Sequence, residues 1–158
     1  VVNVSSPNTA GLRDLQQVDE LRPILRAVLA AAGNVPVLLK IAPDLIDADI
    51  EAIASLVVEM NLAGMVATNT TISRENLIAE SNTAEPGGLS GPILAERSTE
   101  VLKLIRKLLP ATMIVISVGG VLTKDDYSER LSLGADLVQG YTGFVYAGPL
   151  WAKRLTSR

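Results

Sequence analysis

The 158-residue chain contains no cysteine and no histidine. Their absence excludes disulfides, thiolate nucleophiles, histidine-based catalytic triads and the common zinc sites, so we expect no bound metal. Any proton transfer therefore has to use Ser, Thr, Tyr, Lys or a carboxylate. The list of candidate bases is short.

Long apolar runs and clusters of basic residues are also absent. A membrane-spanning helix needs about 20 apolar residues, and the most apolar stretches are interrupted by Lys40 or by the acidic residues between Asp44 and Glu51. The net charge of −3 and the lack of a Lys/Arg-rich run give no reason to expect a nucleic-acid partner. No signal peptide is visible, so a reduced cytoplasmic setting is expected.

Hydrophobic residues make up 48% of the chain and charged residues 20%. These values are typical of a soluble globular domain with a core of its own. The chain opens without Met, and its last segment, from Trp151 onward, has the pattern of the first turns of a helix. We therefore expect both ends to be cut from a longer protein.

Strand-like and helix-like segments alternate along the chain, which predicts βα units around a parallel sheet. The predicted strands are apolar throughout, which indicates burial on both faces; they are Val1–Val4, Val35–Ile41, Gly64–Thr68, Met113–Val118 and Leu137–Gly140. The stretch Ser73–Pro92 has little periodicity and is predicted to be a long functional loop.

Helix signals occupy the segments between the strands. Leu21 to Leu29 follow helical spacing, with Pro23 in the first turn and Gly33 as the stop. Asp47 is predicted to cap the next helix. The remaining signals are the helical spacing of Val101, Leu104, Ile105 and Leu108, ended by Pro110, and a capping box of Thr123 and Asp126 opening a helix that finishes at Gly134.

Two architectures fit five such units, an open doubly wound sheet and part of a (β/α)₈ TIM barrel. Polar residues and glycines concentrate where the predicted strands end, and Asn3–Asn8 is not the glycine-rich loop that an open sheet shows after its first strand. This distribution favours the α/β barrel. Because a complete barrel needs about 250 residues, we expect the chain to supply only the later strands and to expose unpaired sheet edges.

Three polar segments at strand ends could carry chemistry. Asn3–Asn8 offers two amides and a serine, Ser6, held before a proline; Lys40 interrupts an apolar strand; and Thr68–Thr71 is a run of four hydrogen-bonding side chains. Simpler interpretations stay open, namely Asx or Ser turns at the strand ends and a structural ion pair of Lys40 with Asp44. In a barrel all three segments would surround one mouth.

Glycines form a second group of candidates. Gly87–Gly91 and Gly119-Gly120 can bring bare backbone N–H groups to an anion, and Tyr141-Thr142 can open a short helix. Together they suggest a phosphate-bearing cofactor, although tight turns alone would also explain the glycines. The aromatic residues are interpreted as packing residues: Tyr127, Phe144, Tyr146 and Trp151.

These segments resemble class 2 dihydroorotate dehydrogenases, in the family's order and with similar spacing. The matching motifs cover essentially the whole chain; they are Asn3-Val4-Ser5-Ser6-Pro7-Asn8-Thr9, Lys40-Ile41-Ala42-Pro43-Asp44, Thr68-Asn69-Thr70-Thr71, Gly87-Gly88-Leu89-Ser90-Gly91, Val118-Gly119-Gly120 and Tyr141-Thr142-Gly143. The resemblance implies a (β/α)₈ barrel that binds FMN, with residues 1–158 running from about strand 4 to strand 8 as the C-terminal half of one domain.

The resemblance also implies an activity, the oxidation of (S)-dihydroorotate to orotate in pyrimidine synthesis, with electrons passing through FMN to a membrane quinone. Ser6 falls on the position of the catalytic base, where soluble relatives place cysteine, and Thr9 on a position that assists proton escape. The implied binding residues are Asn3, Asn8, Asn69 and Thr70 for the substrate, Asn3, Lys40 and Thr68 for the flavin, and Ser90, Gly91, Gly119, Gly120, Tyr141 and Thr142 for the ribityl and phosphate end. Residues from Pro7 to about Leu15 would form a lid.

Two positions depart from the family pattern. Ser117 stands where relatives often have glycine, and Gly140 stands where they often have a larger apolar residue. The implied quinone and membrane contacts belong to an N-terminal region outside the chain, which would place the enzyme peripherally on the cytoplasmic side of the membrane. We expect the 158-residue chain alone to be inactive. The competing hypotheses are a flavin barrel acting on another pyrimidine and a catalytically silent half-barrel that assembles with a partner half.

Overall fold

The computed structural model describes residues 1–75, 77 and 86–157. Five parallel strands form one sheet in chain order; they are β1 Val2–Asn3, β2 Leu38–Ile41, β3 Gly64–Ala67, β4 Ile114–Val118 and β5 Leu137–Gln139. The register places Asn3 opposite Lys40 and Lys40 opposite Val66. Residues far apart in sequence therefore reach the same edge of the sheet.

Helices connect the strands. Their bounds are α1 Val18–Ala32, α2 Asp47–Glu59, α3 Ala95–Leu108, α4 Lys124–Ser132, α5 Thr142–Ala147 and α6 Trp151–Thr156, with 3-10 helices at Leu12–Gln16 and Pro92–Leu94. Within the described residues, none of the helices has both the length and the apolar character required to cross a membrane.

The two faces of the sheet differ. Leu39, Met65 and Val115 are fully buried in the main core, which they share with apolar residues of α1, α2 and α3. On the opposite face Leu38, Val66 and Ile116 form a small cluster that contains no helical residue. Alternate strand residues thus separate into a helix-covered layer and an inner layer, as they do in a barrel wall.

The order of the strands bears on the choice between the two predicted architectures. An open doubly wound sheet reverses its strand order at a switch point, where its ligand binds. Here every strand pairs with the next one along the chain. The topology is that of consecutive units of a (β/α)₈ barrel.

Two helix starts differ from the sequence-based predictions. α1 begins at Val18, so Pro23 lies beyond its first turn, whereas Gly33 ends the helix with φ +57° as predicted. Asp47 is the first residue of α2 and makes no cap bond, because its carboxylate accepts a hydrogen bond from Arg97 Nη2 at 2.8 Å. The prediction that Asp47 caps the helix was wrong. The capping box of Thr123 and Asp126 is confirmed, with both reciprocal bonds present.

The strands are shorter than predicted. β2 begins at Leu38, because the chain at Val35 is still exposed and outside the sheet. Of the predicted loop 73–92, residues 76 and 78–85 lie outside the described residues. Thr71, just before this loop, and Leu89, near its end, are joined by two backbone hydrogen bonds of 3.1 and 2.8 Å.

The aromatic residues divide into two pairs. Trp151 is buried and Tyr127 packs partly against it, in agreement with their interpretation as packing residues. Phe144 and Tyr146 are 48% and 87% exposed, so that interpretation was wrong for them. Both lie on α5, a six-residue helix whose buried residue is Gly143, packed against the Trp151 ring.

Candidate active site

The carboxyl ends of the strands open onto one cavity of about 390 Å³. Residues on or just after all five strands contribute to it, which is the arrangement expected at the active end of a barrel. Most of the predicted site residues line this cavity; they are Asn8, Lys40, Thr68, Asn69, Thr70, Ser90, Gly91, Gly119, Gly120, Tyr141 and Thr142. Asn3, Ser6 and Thr9 are not among its lining residues.

Asn3, Ser5 and Asn69 form a hydrogen-bonded group that we call the amide cluster. Asn69 Nδ2 donates to Asn3 Oδ1 at 3.2 Å and to Ser5 Oγ at 3.0 Å, and Ser5 Oγ donates to Asn3 Oδ1 at 2.9 Å. The side-chain Oδ1 of Asn69 accepts from the Thr70 backbone N–H at 2.9 Å. The first and third strand ends are therefore tied together through side chains. Ser5, which is fully buried, was not predicted.

Ser6 lies in the loop that follows β1 and is partly buried. Its Oγ accepts a hydrogen bond from the Asn8 backbone N–H at 3.3 Å. Asn8 in turn accepts from the Gly88 N–H at 3.2 Å, which connects the loop of Ser6 to the glycine segment across the cavity. Thr9 is exposed, and its carbonyl accepts from Leu12 N–H at 3.2 Å at the start of the 3-10 helix.

Lys40 lies on the inner face of β2 and lines the cavity. Burial lowers the pKa of its ammonium group below the ordinary value. In the part of the chain that the structure describes, Lys40 makes no hydrogen bond and no ion pair; Asp44, its predicted alternative partner, pairs with Arg13 at 2.7 Å instead. A partly buried cation without a partner is favourable only near a negative charge or an acceptor from a ligand.

Thr68 and Asn69 join the strand ends through the backbone. Thr68 N–H donates to Val118 O at 2.7 Å, and Asn69 N–H donates to Ile41 O at 2.9 Å. These bonds continue the pairing of β3 with its neighbours by one residue on each side. The side chains of Asn69 and Thr70 are thereby presented at the cavity rather than to bulk solvent.

Gly91, Gly119 and Gly120 form the opposite side of the cavity, which we call the glycine wall. All three have positive φ, of +97°, +119° and +71°. A Cβ on Gly120 would lie 2.4 Å from Ala95 Cα, and one on Gly91 would lie 3.2 Å from Thr142 Cγ2. Glycine is therefore required at Gly120 for both conformation and space.

Ser90 and Thr142 join the glycine segment to the start of α5. Their hydroxyl oxygens are 2.8 Å apart, within hydrogen-bonding distance. Tyr141 precedes the helix and is 73% exposed. α5 begins at Thr142, as the sequence predicts. Hydroxyls and bare backbone at one end of the cavity can bind a phosphate group.

Arg13 is a positioning residue that sequence reasoning missed. Its guanidinium donates to Ser5 O at 3.1 Å, to Thr70 O at 2.8 Å and to Asp44 Oδ2 at 2.7 Å. Asp44 also accepts from the Thr71 hydroxyl. One side chain thus holds the loop of Ser6 against the loop of Asn69. Three acceptors on separate segments cannot be foreseen from spacing.

Sequence reasoning also missed Arg130, because it interprets the Lys, Glu and Arg positions on the helices as a solvated outer face, and for this residue that interpretation was wrong. It lies on α4 and is fully buried behind the glycine wall, where it donates to the hydroxyls of Ser98 and Ser117 at 2.9 and 3.2 Å. It also donates to the carbonyls of Ala95 and Gly119 at 2.9 and 3.1 Å. Ser117, noted above as a departure from the family pattern, is therefore an acceptor for this arginine.

The second departure, Gly140, has a packing explanation. A Cβ at this position would lie 2.0 Å from Trp151 Cη2. The indole ring occupies the space of the missing side chain, and its Nε1–H donates to Leu122 O at 2.9 Å. Gly140 therefore lines the cavity with Trp151 packed against it.

Comparison with known proteins agrees with this geometry. The family model for dihydroorotate dehydrogenase matches residues 1–158. The chain belongs to the dihydroorotate dehydrogenase family. The match is continuous over the whole chain. It therefore includes all the separate motifs from which Asn3, Lys40 and Asn69 were predicted.

Curated relatives carry the name dihydroorotate dehydrogenase (quinone). The one from Mycolicibacterium vanbaalenii is 60% identical over 154 residues, covering 97% of this chain and 43% of the relative. The one from Leifsonia xyli subsp. xyli is 58% identical over 159 residues, covering 99% of this chain and 46% of the relative. The chain thus spans less than half the length of these relatives.

Solved structures of the family superpose closely. The ferulenol complex of the enzyme from Eimeria tenella matches with a TM-score of 0.91 and 36% identity, over 97% of this chain and 46% of that one. The ligand-free form from the same organism matches with a TM-score of 0.89 and 35% identity, over 97% of this chain and 48% of that one. The prediction of a partial TIM barrel is confirmed.

Proposed function

We propose that the protein containing this chain oxidises (S)-dihydroorotate to orotate with FMN as the cofactor and passes the electrons to a quinone, in pyrimidine biosynthesis. One observation carries the proposal: Lys40, which has no partner among the described residues, the amides of Asn8 and Asn69, and the glycine wall line one cavity. Bare backbone N–H groups can bind a flavin phosphate, a cation can stabilise a reduced flavin ring, and amides can pair with a carboxylated pyrimidine.

The residues present fit FMN. The glycine wall leaves backbone open where a Cβ would meet Ala95, and the Ser90 and Thr142 hydroxyls converge beside it. Ser90, Gly91, Gly119, Gly120, Tyr141 and Thr142 would hold the ribityl phosphate, whereas Asn3, Lys40 and Thr68 would hold the flavin ring. The chemistry that FMN would supply here, when bound, is acceptance of a hydride and transfer of electrons to a quinone.

Substrate binding falls to the opposite side of the cavity. Asn3, Asn8, Asn69 and Thr70 would orient the ring and its carboxylate, because their amides and hydroxyls can pair with both. Ser6 would take the proton from C5 of dihydroorotate while C6 loses a hydride. The backbone N–H that Asn8 donates to Ser6 Oγ would hold this hydroxyl in position, and Ser6 would pass its own proton toward solvent as it takes the proton from C5.

Two further residues support the chemistry. Thr9, exposed at the outside of the same loop, would assist the proton in leaving Ser6 for solvent. Lys40 would stabilise the negative charge that accumulates on the flavin ring, since its own positive charge has no protein partner among the described residues. A fixed cation in a partly buried site costs no reorganisation at the moment of reaction.

We further propose that residues 1–158 are the C-terminal half of one barrel domain. Val1 beside β1 and Leu137 on β5 are 70% and 57% exposed, which supports the presence of further strands at both edges of the sheet. Quinone and membrane contacts would belong to that further sequence, with the protein peripheral on the cytoplasmic side. The 158-residue chain alone would show no meaningful turnover.

An absorption spectrum of the complete protein, recorded with and without dihydroorotate, tests the proposal. We expect a flavin spectrum that bleaches on adding dihydroorotate and is unaffected by dihydrouracil, which lacks the carboxylate. A flavin that dihydroorotate does not bleach would favour a barrel acting on another pyrimidine. Absence of bound flavin would favour a silent half-barrel.

A further inference from the structure

Arg130 is the most deeply buried charged residue described, with 1% of its surface exposed. All four of its hydrogen bonds go to neutral oxygens, two from serine hydroxyls and two from backbone carbonyls. Its Nε has no partner. The guanidinium is therefore held in place by neutral groups and has no ion-pair partner among the described residues.

No carboxylate within the described ranges forms an ion pair with Arg130; the described ion pairs involve Arg13, Arg22, Arg97 and Arg106. Burial lowers the pKa of the Arg130 guanidinium, and the more distant carboxylates of Glu129 and Asp126 offset part of this effect. Burying a charge without a paired charge of opposite sign is costly. An anion on the far side of the glycine wall would reduce that cost.

The glycine wall connects Arg130 to the cavity. Arg130 Nη2 and Ser98 Oγ both donate to Gly119 O, at 3.1 and 2.9 Å. In a trans peptide the carbonyl and the following N–H point in opposite directions, so the Gly120 N–H points away from Arg130. Gly120 lines the cavity, and within the residues described its N–H has no acceptor.

We propose that Arg130 is a positioning residue for the phosphate end of the bound cofactor. It holds the Gly119 carbonyl turned inward, so that the Gly120 N–H faces the phosphate, and its own unpaired charge attracts the anion through one layer of backbone. Ser98 and Ser117 fix the plane of the guanidinium. This inference rests on the proposed FMN site.

The chain offers a matched control in Arg106. This arginine also donates to backbone carbonyls, those of Met113, Leu109 and Pro110 at 3.1, 3.2 and 2.6 Å. It lies at the opposite end of β4, where Met113 precedes the strand, and it has an acidic neighbour, Asp136, at 3.5 Å. Its loss removes a comparable set of hydrogen bonds far from the cavity.

The test compares FMN with riboflavin, which has the same ring and ribityl chain but no phosphate. Apoprotein of the complete wild type, Arg130→Gln and Arg106→Gln is titrated with each flavin, following the quenching of flavin fluorescence. We expect Arg130→Gln to weaken FMN binding by roughly tenfold or more and riboflavin binding by less than about twofold. Arg106→Gln should leave the ratio of the two affinities unchanged.

Equal weakening of both flavins, or of neither, in Arg130→Gln would overturn the proposal, because a purely structural role does not distinguish the phosphate. If Arg130→Gln does not fold, the ratio of the FMN and riboflavin affinities can be measured in Arg130→Lys and Ser117→Ala instead. Lysine retains the charge but cannot donate to the carbonyls of Ala95 and Gly119 in the same way, and Ser117→Ala removes one hydroxyl that is bonded to the guanidinium. Both variants should therefore reduce the preference for FMN by a few-fold. An unchanged preference in both variants overturns the role. Wild type that binds neither flavin would overturn the proposed function, and this role with it.

Discussion

The two sides of the cavity are each supported by an arginine, in opposite electrostatic settings. Arg13 lies behind the amide cluster, and its charge is matched by Asp44, with the two side chains 19% and 21% exposed. Arg130 lies behind the glycine wall, fully buried and bonded only to neutral oxygens. Both donate to carbonyls of loops that line the site.

The comparison shows that one residue type can organise a loop in two ways. The charge of Arg13 is neutralised within the protein, so it acts through hydrogen bonds to Ser5 and Thr70. Arg130 forms no ion pair within the described residues, and on the proposal above its charge acts on a ligand. The amide side is therefore suited to shape recognition and proton transfer, and the glycine side to an anion.

The largest effect is expected from Ser6→Ala, on the amide side. In the complete protein this change should slow flavin reduction by dihydroorotate by roughly 10²–10⁴-fold, the usual contribution of a general base, while flavin stays bound. Single-turnover stopped-flow absorbance measures it. Ser55→Ala on α2, where the hydroxyl bonds only Glu51 O, is the control; an unchanged rate in Ser6→Ala would remove Ser6 from its role.

On the glycine side, Gly120→Ala should lower the free energy of unfolding by about 2–4 kcal/mol, because a Cβ would lie 2.4 Å from Ala95 Cα at φ +71°. Gly33→Ala also has positive φ but no atom within 4 Å of the new Cβ, so it should cost only about 1 kcal/mol. Urea denaturation of both variants separates the clash from the backbone conformation. Equal losses of unfolding free energy in the two variants would show that the glycine wall can shift enough to relieve the clash with Ala95.

Arg13→Gln should slow flavin reduction by roughly tenfold without displacing the flavin, because it releases the loops of Ser5 and Thr70 together. Arg13→Lys should recover little, since one ammonium cannot reach three acceptors on separate segments. Arg22→Gln, which breaks an ion pair with Glu59 on the outer surface, is the matched control and should leave the rate unchanged. Comparable effects of Arg13→Gln and Arg22→Gln would mean that Arg13 has no special part in the site.

The smallest effect concerns Lys40, between the two sides. Its pKa is depressed by burial, so the unfolded state binds the proton more tightly and the charged form destabilises the folded apoprotein at neutral pH. Lys40→Met should therefore raise the melting temperature of the apoprotein at pH 7 by roughly 1–3 °C. The difference should shrink as pH rises through the depressed pKa toward 10.5; a difference independent of pH would contradict an unpaired charge.

Sequence reasoning located the strand ends well, because apolar strands alternate with polar termini and the termini carry recognisable motifs. It could not assign the supporting residues. Asp44 was considered as a partner for Lys40, yet it pairs with Arg13, which follows the loop of Ser6. Arg130 was missed because a charged residue on a helix is usually exposed, and only the packing of α3 against β4 buries it.

The amino-acid sequence by itself determined the alternation of βα units, the residue types at each strand end and the absence of thiol and imidazole chemistry, because periodicity and composition are local properties. Only the tertiary structure decided which charges are paired and which remain free. That decision depends on contacts such as Arg13 with Asp44, 31 residues apart, and Arg130 with Ser98, 32 residues apart. Such contacts form when parallel strands curl and bring their ends together, which no local pattern specifies.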